Sequence, residues 1–338
     1  MNLRQTIATL LLSIASFSCH GRTDLNDRTE VREFIDEMVQ QHDFSRGELE
    51  KLFREVELRP DIIAAMTRPA ESKPWHAYRP IFLTAERIRG GVAFWREHEA
   101  ILNEAQQRYG VAPQYVVAIL GVETRYGRFR GRHRVMDALA TLAFDYPPRS
   151  NFFRKELQQY LLMAREETIE PLSLSGSYAG AMGTPQFIPS SFRAYAVDFD
   201  GDGRRDLFGS ERDIIGSVAN YFKMHGWVNG GSVAIPATVA DDRHRPLLGA
   251  GLKPHISAGE LSRHGVTPRW TVGASAPVAL LELEADTGPE HWVTFNNFYV
   301  ITRYNRSPLY AMAVHQLSEE IRKAKEGRTP LAQSDGPR

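Results

Sequence analysis

The apolar periodicity of this chain changes character once, after Trp227, and that switch limits what it can fold into. Before it, apolar residues recur at helical spacing. Ser45 and Glu48 make a capping box ahead of Leu49, Leu52, Phe53 and Val56. A long segment from Thr84 to Tyr109 sets Ile88, Val92, Trp95 and Leu102 on one face. Pro113 suits a first helical position, and Val116, Ile119, Leu120 and Glu123 then run down one face to Gly127. Further helices are expected over 152–167 and Arg212–His225. After the switch, residues 230–292 carry frequent Gly and Pro and short alternating runs, Ser232–Val239 and Val278–Glu284, which read as strands. A second capping box, Ser257 with Glu260, predicts one short helix among them, and Pro308 opens a last helix carrying Met312, Leu317 and Ile321. The expected class is mainly α (α+β), with a small β-rich insert.

Composition narrows the possible roles. The 41 Lys and Arg balance 41 Asp and Glu, so the chain lacks the basic surplus of a dedicated nucleic-acid binder. Cys19 is the single cysteine, which excludes an intrachain disulfide and a multi-cysteine zinc site. No run of 18 apolar residues marks a transmembrane helix. At the N-terminus, Arg4 precedes an apolar stretch from Ile7 to Phe17 and then Ser18 and Cys19, the layout of a secretory signal peptide over 1–18. Cys19 stands where a lipoprotein signal places its acylated cysteine, although Ser16 replaces the usual Leu. Two acyl chains there would tether the mature chain to a membrane. His20 follows rather than Asp, which points to the outer membrane of a Gram-negative cell and a periplasmic enzyme.

Three segments can carry chemistry. Glu123 lies on the apolar face of its helix and in the last turn, where desolvation and the negative helix end both favour the protonated carboxyl. Such a group suits a general acid. Spacing alone leaves open a helix-end pair with Arg125, Arg128 or Arg130. From Gly176 to Ser191, small residues crowd together with Ser177, Gln186, Ser190 and Ser191, so backbone can approach a ligand while hydroxyls and an amide bind it. An ordinary tight loop remains the alternative. No phosphate-loop lysine follows the glycines, which disfavours a nucleotide site. Asp198, Asp200 and Asp202 occupy positions 1, 3 and 5 of an EF-hand-like loop, with Gly203 at 6 and the Arg204 carbonyl at 7. Position 12, usually acidic, is Gly209, and an Asp/Gly-rich turn without metal is the alternative.

Five motifs in order carry a family likeness: GVETRYG (Gly121–Gly127), DALATLAFDYPPR (Asp137–Arg149), the run Gly176–Gly203, GSVANYFKMHGW (Gly216–Trp227) and NFYVITRYN (Asn297–Asn305). They resemble the membrane-bound lytic murein transglycosylase B family, densely over Val116–Trp227 and Trp292–Tyr310. The resemblance implies a lysozyme-like helical core at 111–228 plus 292–307. It also implies an α-helical N-terminal domain at 19–110 joined by helix 308–325, while the strand-like runs mark a β-rich domain at 229–291 and the polar end at 326–338 reads as a disordered tail. It implies cleavage of the β-1,4 bond between N-acetylmuramic acid and N-acetylglucosamine in peptidoglycan, leaving 1,6-anhydro ends. Glu123 would serve as acid and then base. Ser177 would bind near the reacting sugar, with Gln186, Tyr221, Tyr304, Asn305, Tyr310 and Tyr78 along the groove. Arg149 would contact a peptide stem, although Pro148 stands where close relatives carry a second arginine. Relatives close a longer calcium loop with an Asp ahead of a Gly-Ser pair, a role that falls to Asp213, with Asp206 or Glu211 as substitutes. The implied ion is a structural Ca²⁺, and the implied partners are glycan strands together with cell-wall synthesis or lysis proteins. Most glycosidases use two carboxylates. Asp145, Glu156 and Glu170 are candidates by position only, each read as a solvated or helix-end charge. A hydrolytic muramidase and an inactive peptidoglycan-binding scaffold remain the competing readings.

Overall fold

The computed structural model describes residues 24–67 and 73–328. The signal peptide, Cys19 and most of the expected tail lie outside the described residues. Between Val56 and Glu57 the chain divides into two compact units. In the first, α1 (Thr29–His42) and α2 (Arg46–Glu55) bury Phe34 and Phe53, whose rings meet edge-on at 5.8 Å. Ser45 caps α2 by accepting from the Glu48 amide.

The second unit opens with α3 (Pro60–Met66), α4 (Trp75–Phe82), α5 (Ala85–Glu97) and α6 (Glu99–Tyr109). The segment Thr84–Tyr109 is thus two helices, not one. His98 leaves helical geometry at φ −110°, its amide closing α5 on the Phe94 carbonyl and its ring packed 4.4 Å from Phe94. Next come α7 (Pro113–Thr124), α8 (Val135–Phe144) and α9 (Ser150–Glu166), then α10 (Pro189–Tyr195) and α11 (Glu211–Met224).

Helix α7 is the centre of this unit. Every residue from Tyr115 to Val122 is buried, so it has no solvent face, which the reading of one apolar stripe understated. Each such Val, Ile or Leu contributes about 1.5–3 kcal/mol on burial. The terminal helix α14 (Pro308–Lys325) packs against α4, α5 and α7, and against α13 (Asn296–Tyr304). Just ahead of α8, a two-stranded ladder joins β1 (His133–Arg134) to β2 (Ser175–Gly176), with His133 opposite Gly176.

The β-rich run forms one antiparallel sheet of order β4–β6–β7–β3–β5. Its strands are β3 (Ala234–Val239), β4 (Ile256–Ser257), β5 (Val266–Pro268), β6 (Pro277–Ala285) and β7 (Gly288–Thr294). Both alternating runs expected as strands lie in it. Between β3 and β4 runs the short helix α12 (Arg245–Leu248). The Ser257–Glu260 capping box is present, but it opens a 3-10 helix, Ala258–His264. A separate small core of Leu247, Leu261, Val266, Val278, Leu280 and Val293 holds the sheet together. Among the described residues, no helix is long and apolar enough to cross a membrane.

Candidate active site

Glu123 sits in the last turn of α7, but the helix ends before Gly127. Arg125 and Tyr126 both take left-handed conformations, φ 49° and 62°, and the Tyr126 amide reaches back to the Leu120 carbonyl. Few non-glycine residues do this, since the Cβ opposes it. Tyr126 is held there by burial. Its hydroxyl donates to the Arg87 carbonyl at 2.7 Å, and a Cβ on Gly121 or Gly91 would stand 2.6 Å from that oxygen. Gly121 thus leaves room for this tyrosine, and Gly91 leaves room both for it and for Ile321 of α14, whose Cδ1 would stand 2.5 Å from the added carbon. Thr124 completes the corner: its hydroxyl donates to the Thr184 carbonyl at 2.8 Å and accepts from the Gly127 amide at 3.0 Å. The Thr124 and Tyr126 contacts escaped the sequence reading, whose only signal for them was membership of the Gly121–Gly127 motif.

The carboxyl itself is half-buried. Burial raises its pKa from 4.5 to about 7, while a hydrogen bond from the Tyr310 hydroxyl to Oε1, 2.5 Å long, pulls the other way. Among the described residues, no arginine pairs with it. Arg125 lies over the Phe129 ring at 5.2 Å, Arg128 pairs with Glu86 at 3.6 Å, and Arg130 instead offers its carbonyl to Gln186. The helix-end ion pair that spacing left open is not formed.

Around it stands a ring of tyrosines. Tyr310 is buried at the start of α14 and Tyr304 at the end of α13 is half-buried. Burial drives both phenols well above their ordinary range, with the nearby Glu123 charge adding to the rise. Tyr78 lies close enough to Tyr310 to add to that effect. Tyr221 packs 4.8 Å from Tyr304 between ring centroids. Part of this set serves the fold: Tyr304 donates to the Pro185 carbonyl and Tyr221 to the Arg303 carbonyl, each at 2.6 Å. Asn305 accepts from the Ser307 amide at 3.0 Å and so shapes the turn into α14.

The Gly176–Ser191 segment is tied to the same corner. Ser177 Oγ accepts from the amides of Ala179 (3.2 Å) and Ala181 (3.0 Å), which leaves its hydrogen for a ligand. Gln186, left-handed at φ 52°, donates its Nε2 to the Gly183 and Arg130 carbonyls, which leaves its side-chain oxygen as an acceptor. Arg149 is exposed, its guanidinium 4.5 Å from the Phe152 ring centroid. Glu156 is neither solvated nor capping its own helix. It is buried, and its two oxygens accept from the Ser190 amide at 2.9 Å and the Ser190 hydroxyl at 2.7 Å, so it closes the start of α10.

Asp198, Asp200 and Asp202 bring three carboxylate oxygens within 4.8 Å of one another. Asp198 is prepaid in hydrogen bonds: the amides of Gly201, Asp202 and Gly203 donate to it and hold its pKa below the usual carboxylate range. Three like charges this close fit a hard cation with oxygen ligands. Asp213 stands outside this trio. It is buried, and its oxygens accept from the Phe199 amide at 2.7 Å and the Asp206 amide at 2.8 Å, so it closes the loop through the backbone. Asp206 is turned to its own corner, accepting from Phe208 and Gly209.

A buried central helix that ends in one uncompensated carboxyl, inside a mainly helical unit with a β-rich insert, defines a class: the lysozyme-like lytic transglycosylase fold. The chain belongs to the transglycosylase SLT domain family, which it matches over residues 26–319. It is 44% identical over 312 residues to membrane-bound lytic murein transglycosylase B of Escherichia coli (strain K12), covering 89% of this chain and 85% of that protein. Soluble lytic transglycosylase SltB1 from Pseudomonas aeruginosa is 51% identical with a TM-score of 0.83, over 88% of this chain and 99% of that one. Escherichia coli lytic transglycosylase Slt35, solved in complex with calcium, is 44% identical with a TM-score of 0.83, over 90% and 96%.

Proposed function

We propose that this protein is a peptidoglycan lytic transglycosylase and that Glu123 is its single acid/base. The observation that carries the reading is a half-buried carboxyl at the end of a buried helix, bonded by the Tyr310 hydroxyl and, among the described residues, without a cationic partner, a setting in which burial raises its pKa. Protonated Glu123 gives its proton to the glycosidic oxygen between N-acetylmuramic acid and N-acetylglucosamine, and that C–O bond breaks. The resulting carboxylate then takes the proton of the muramic C6 hydroxyl as its oxygen bonds to the anomeric carbon, closing a 1,6-anhydro ring. The net reaction consumes no water. One carboxyl suffices if the sugar's own 2-acetamido group supports the positive anomeric carbon; Glu156, a second carboxyl by position, is instead held by Ser190. Ser177 donates to the reacting sugar and Gln186 accepts from a sugar hydroxyl. Tyr78, Tyr221, Tyr304, Asn305 and Tyr310 line the saccharide groove, and Arg149 meets a peptide stem at its exposed end.

The deciding experiment is mass analysis of sacculus digests. 1,6-Anhydro ends support the proposal, and reducing ends alone would replace it with the hydrolytic muramidase. A sharper expectation concerns pH. The general acid must be protonated, so activity falls as pH rises through about 7. Tyr310→Phe removes the hydrogen bond that lowers the Glu123 pKa, so the alkaline limb of kcat/KM is expected to move upward in pH. A shift downward would contradict this arrangement.

For the Asp198 loop we propose a structural Ca²⁺ held by Asp198, Asp200, Asp202 and the Arg204 carbonyl, with Asp213 as the buried closing residue. Its chemistry there is charge neutralisation. Chelation is expected to lower the Tm, Ca²⁺ to restore it, and Asp200→Asn to abolish the difference. An unchanged Tm in the wild type would refute the site. The relative's membrane-bound name and the Cys19 context support export to the periplasm and an outer-membrane lipid anchor. The same likeness supports glycan strands as the partner, with cell-wall synthesis or lysis proteins as companions. The change from helical to strand pattern favours a functional division into an N-terminal helical part at 19–110, a lysozyme-like core and a β-rich part at 229–291, which differs from the division into two compact units at Val56 and Glu57.

A further inference from the structure

We propose that His244, Glu282 and His291 form a three-ligand site for a divalent transition metal ion, Zn²⁺ by its chemistry, within the β-rich insert. The three residues come from separate segments. Glu282 on β6 and His291 on β7 are direct cross-strand partners. His244 ends the 3-10 turn Asp242–His244 that leads into α12. One nitrogen or oxygen from each lies within 4.8 Å of the other two. His291 Nε2 is 2.9 Å and His244 Nε2 3.6 Å from the same Glu282 Oε2. Ligand atoms around a tetrahedral zinc with bonds of about 2.0–2.1 Å stand about 3.3 Å apart, between those two separations.

The tautomer at His244 agrees with this assignment. Its Nδ1 lies 2.7 Å from the Asp241 carbonyl, which can only accept, so Nδ1 carries the proton. When that ring carries no second proton, its Nε2 turns a lone pair toward Glu282 Oε2, and a cation between them makes the arrangement favourable. A backbone carbonyl fixing the far nitrogen of a ligating histidine is the usual outer support of a zinc site. His244 is buried and His291 half-buried, whereas Glu282 is exposed and leaves the ion a path inward. Two histidines and one carboxylate suit Zn²⁺ better than Ca²⁺, which prefers oxygen. The trio lies beside the insert's small core, where Leu247 of α12 packs near Leu280 and Val293. A bound ion would therefore staple the Asp241–Leu248 segment to the β6–β7 hairpin, and a water would fill its fourth position.

The test uses untagged full-length chain, stripped by chelator and held in excess Ca²⁺ so that the Asp198 loop is filled. Zinc titration by calorimetry, with metal content by mass spectrometry, is expected to give one Zn²⁺ per chain and a higher Tm. Co²⁺ is expected to give the intense visible bands of a four-coordinate site. Glu282→Gln and His291→Gln, at positions with solvent contact, are each expected to weaken zinc binding by about 100-fold. His244→Ala should do the same, with circular dichroism confirming the fold. No saturable zinc binding by the wild type would overturn the proposal. So would binding of unchanged affinity in folded Glu282→Gln and His291→Gln.

Discussion

Glu123→Gln is expected to lower the rate of glycan cleavage by about a thousandfold or more, because one residue supplies both proton transfers. Binding of sacculi should persist, since Gln keeps the shape of the side chain and an oxygen for the Tyr310 hydroxyl. A variant that still lyses cell walls within tenfold of the wild type would remove Glu123 from the mechanism. One that neither binds nor lyses would point to lost structure. Stability separates these outcomes. In the folded chain the carboxyl keeps its proton up to about pH 7, against 4.5 when exposed. The folded state therefore binds more protons between these values, and stability falls as pH rises through that window. Above it, the ionised carboxylate costs at most about 3 kcal/mol, less whatever solvent contact relieves. Glu123→Gln lifts this burden, so its Tm is expected to exceed the wild-type value by a few degrees at pH 8. The two should converge toward pH 4.5. A gain in stability with a loss of rate is the signature of a group kept for chemistry.

How much of this was legible in the sequence depends on the distance over which each interaction acts. The α7 pattern, its proline start and Glu123 in its last turn are local, and all are present in the structure. The sheet strands were also local, as period-two runs. One miss is local: His98 breaks one expected helix into two through its own backbone geometry, beside the Phe94 ring four residues back, which apolar spacing does not record. The other misses are long-range. The stop of α7 was placed at Gly127 on propensity, whereas Arg125 and Tyr126 turn the chain because Tyr126 finds a pocket between Gly121 and Gly91, thirty residues apart. Glu156 reads as a surface charge until Ser190 reaches it across the fold. Likewise, spacing offers Glu123 three arginines and does not say that Arg125 turns to the Phe129 ring and Arg128 to Glu86. The family motifs point to the proposed site because they carry such distant constraints implicitly. Periodicity records only which face of an element is apolar.

Gly131→Ala is expected to be the most disruptive single-methyl change near the site. Gly131 sits at φ 96°, where a side chain is strained, and a Cβ there would lie 2.0 Å from the Gly176 carbonyl oxygen and 2.6 Å from the Ser177 amide. Both obstacles are backbone, so no rotamer change relieves them. Nor can β2 retreat. Gly176 pairs with His133 on one side and bridges to Met182 on the other, and a Cβ of its own would stand 2.2 Å from the Ala181 carbonyl. The left-handed strain costs about 1–2 kcal/mol and the overpacking about 1–3 kcal/mol, together about 3 kcal/mol or more. Whatever the backbone yields moves Ser177, whose Oγ is held by the amides of Ala179 and Ala181 in the same turn. The folded fraction should therefore show a raised KM for glycan as well as a lower Tm. Gly251→Ala is the control. Gly251 has φ 84° but nothing within 4 Å of its would-be Cβ, so only the backbone strain of about 1–2 kcal/mol remains. If the two variants melt alike, the close approach of Gly131 to Gly176 is not what fixes the turn that carries Ser177.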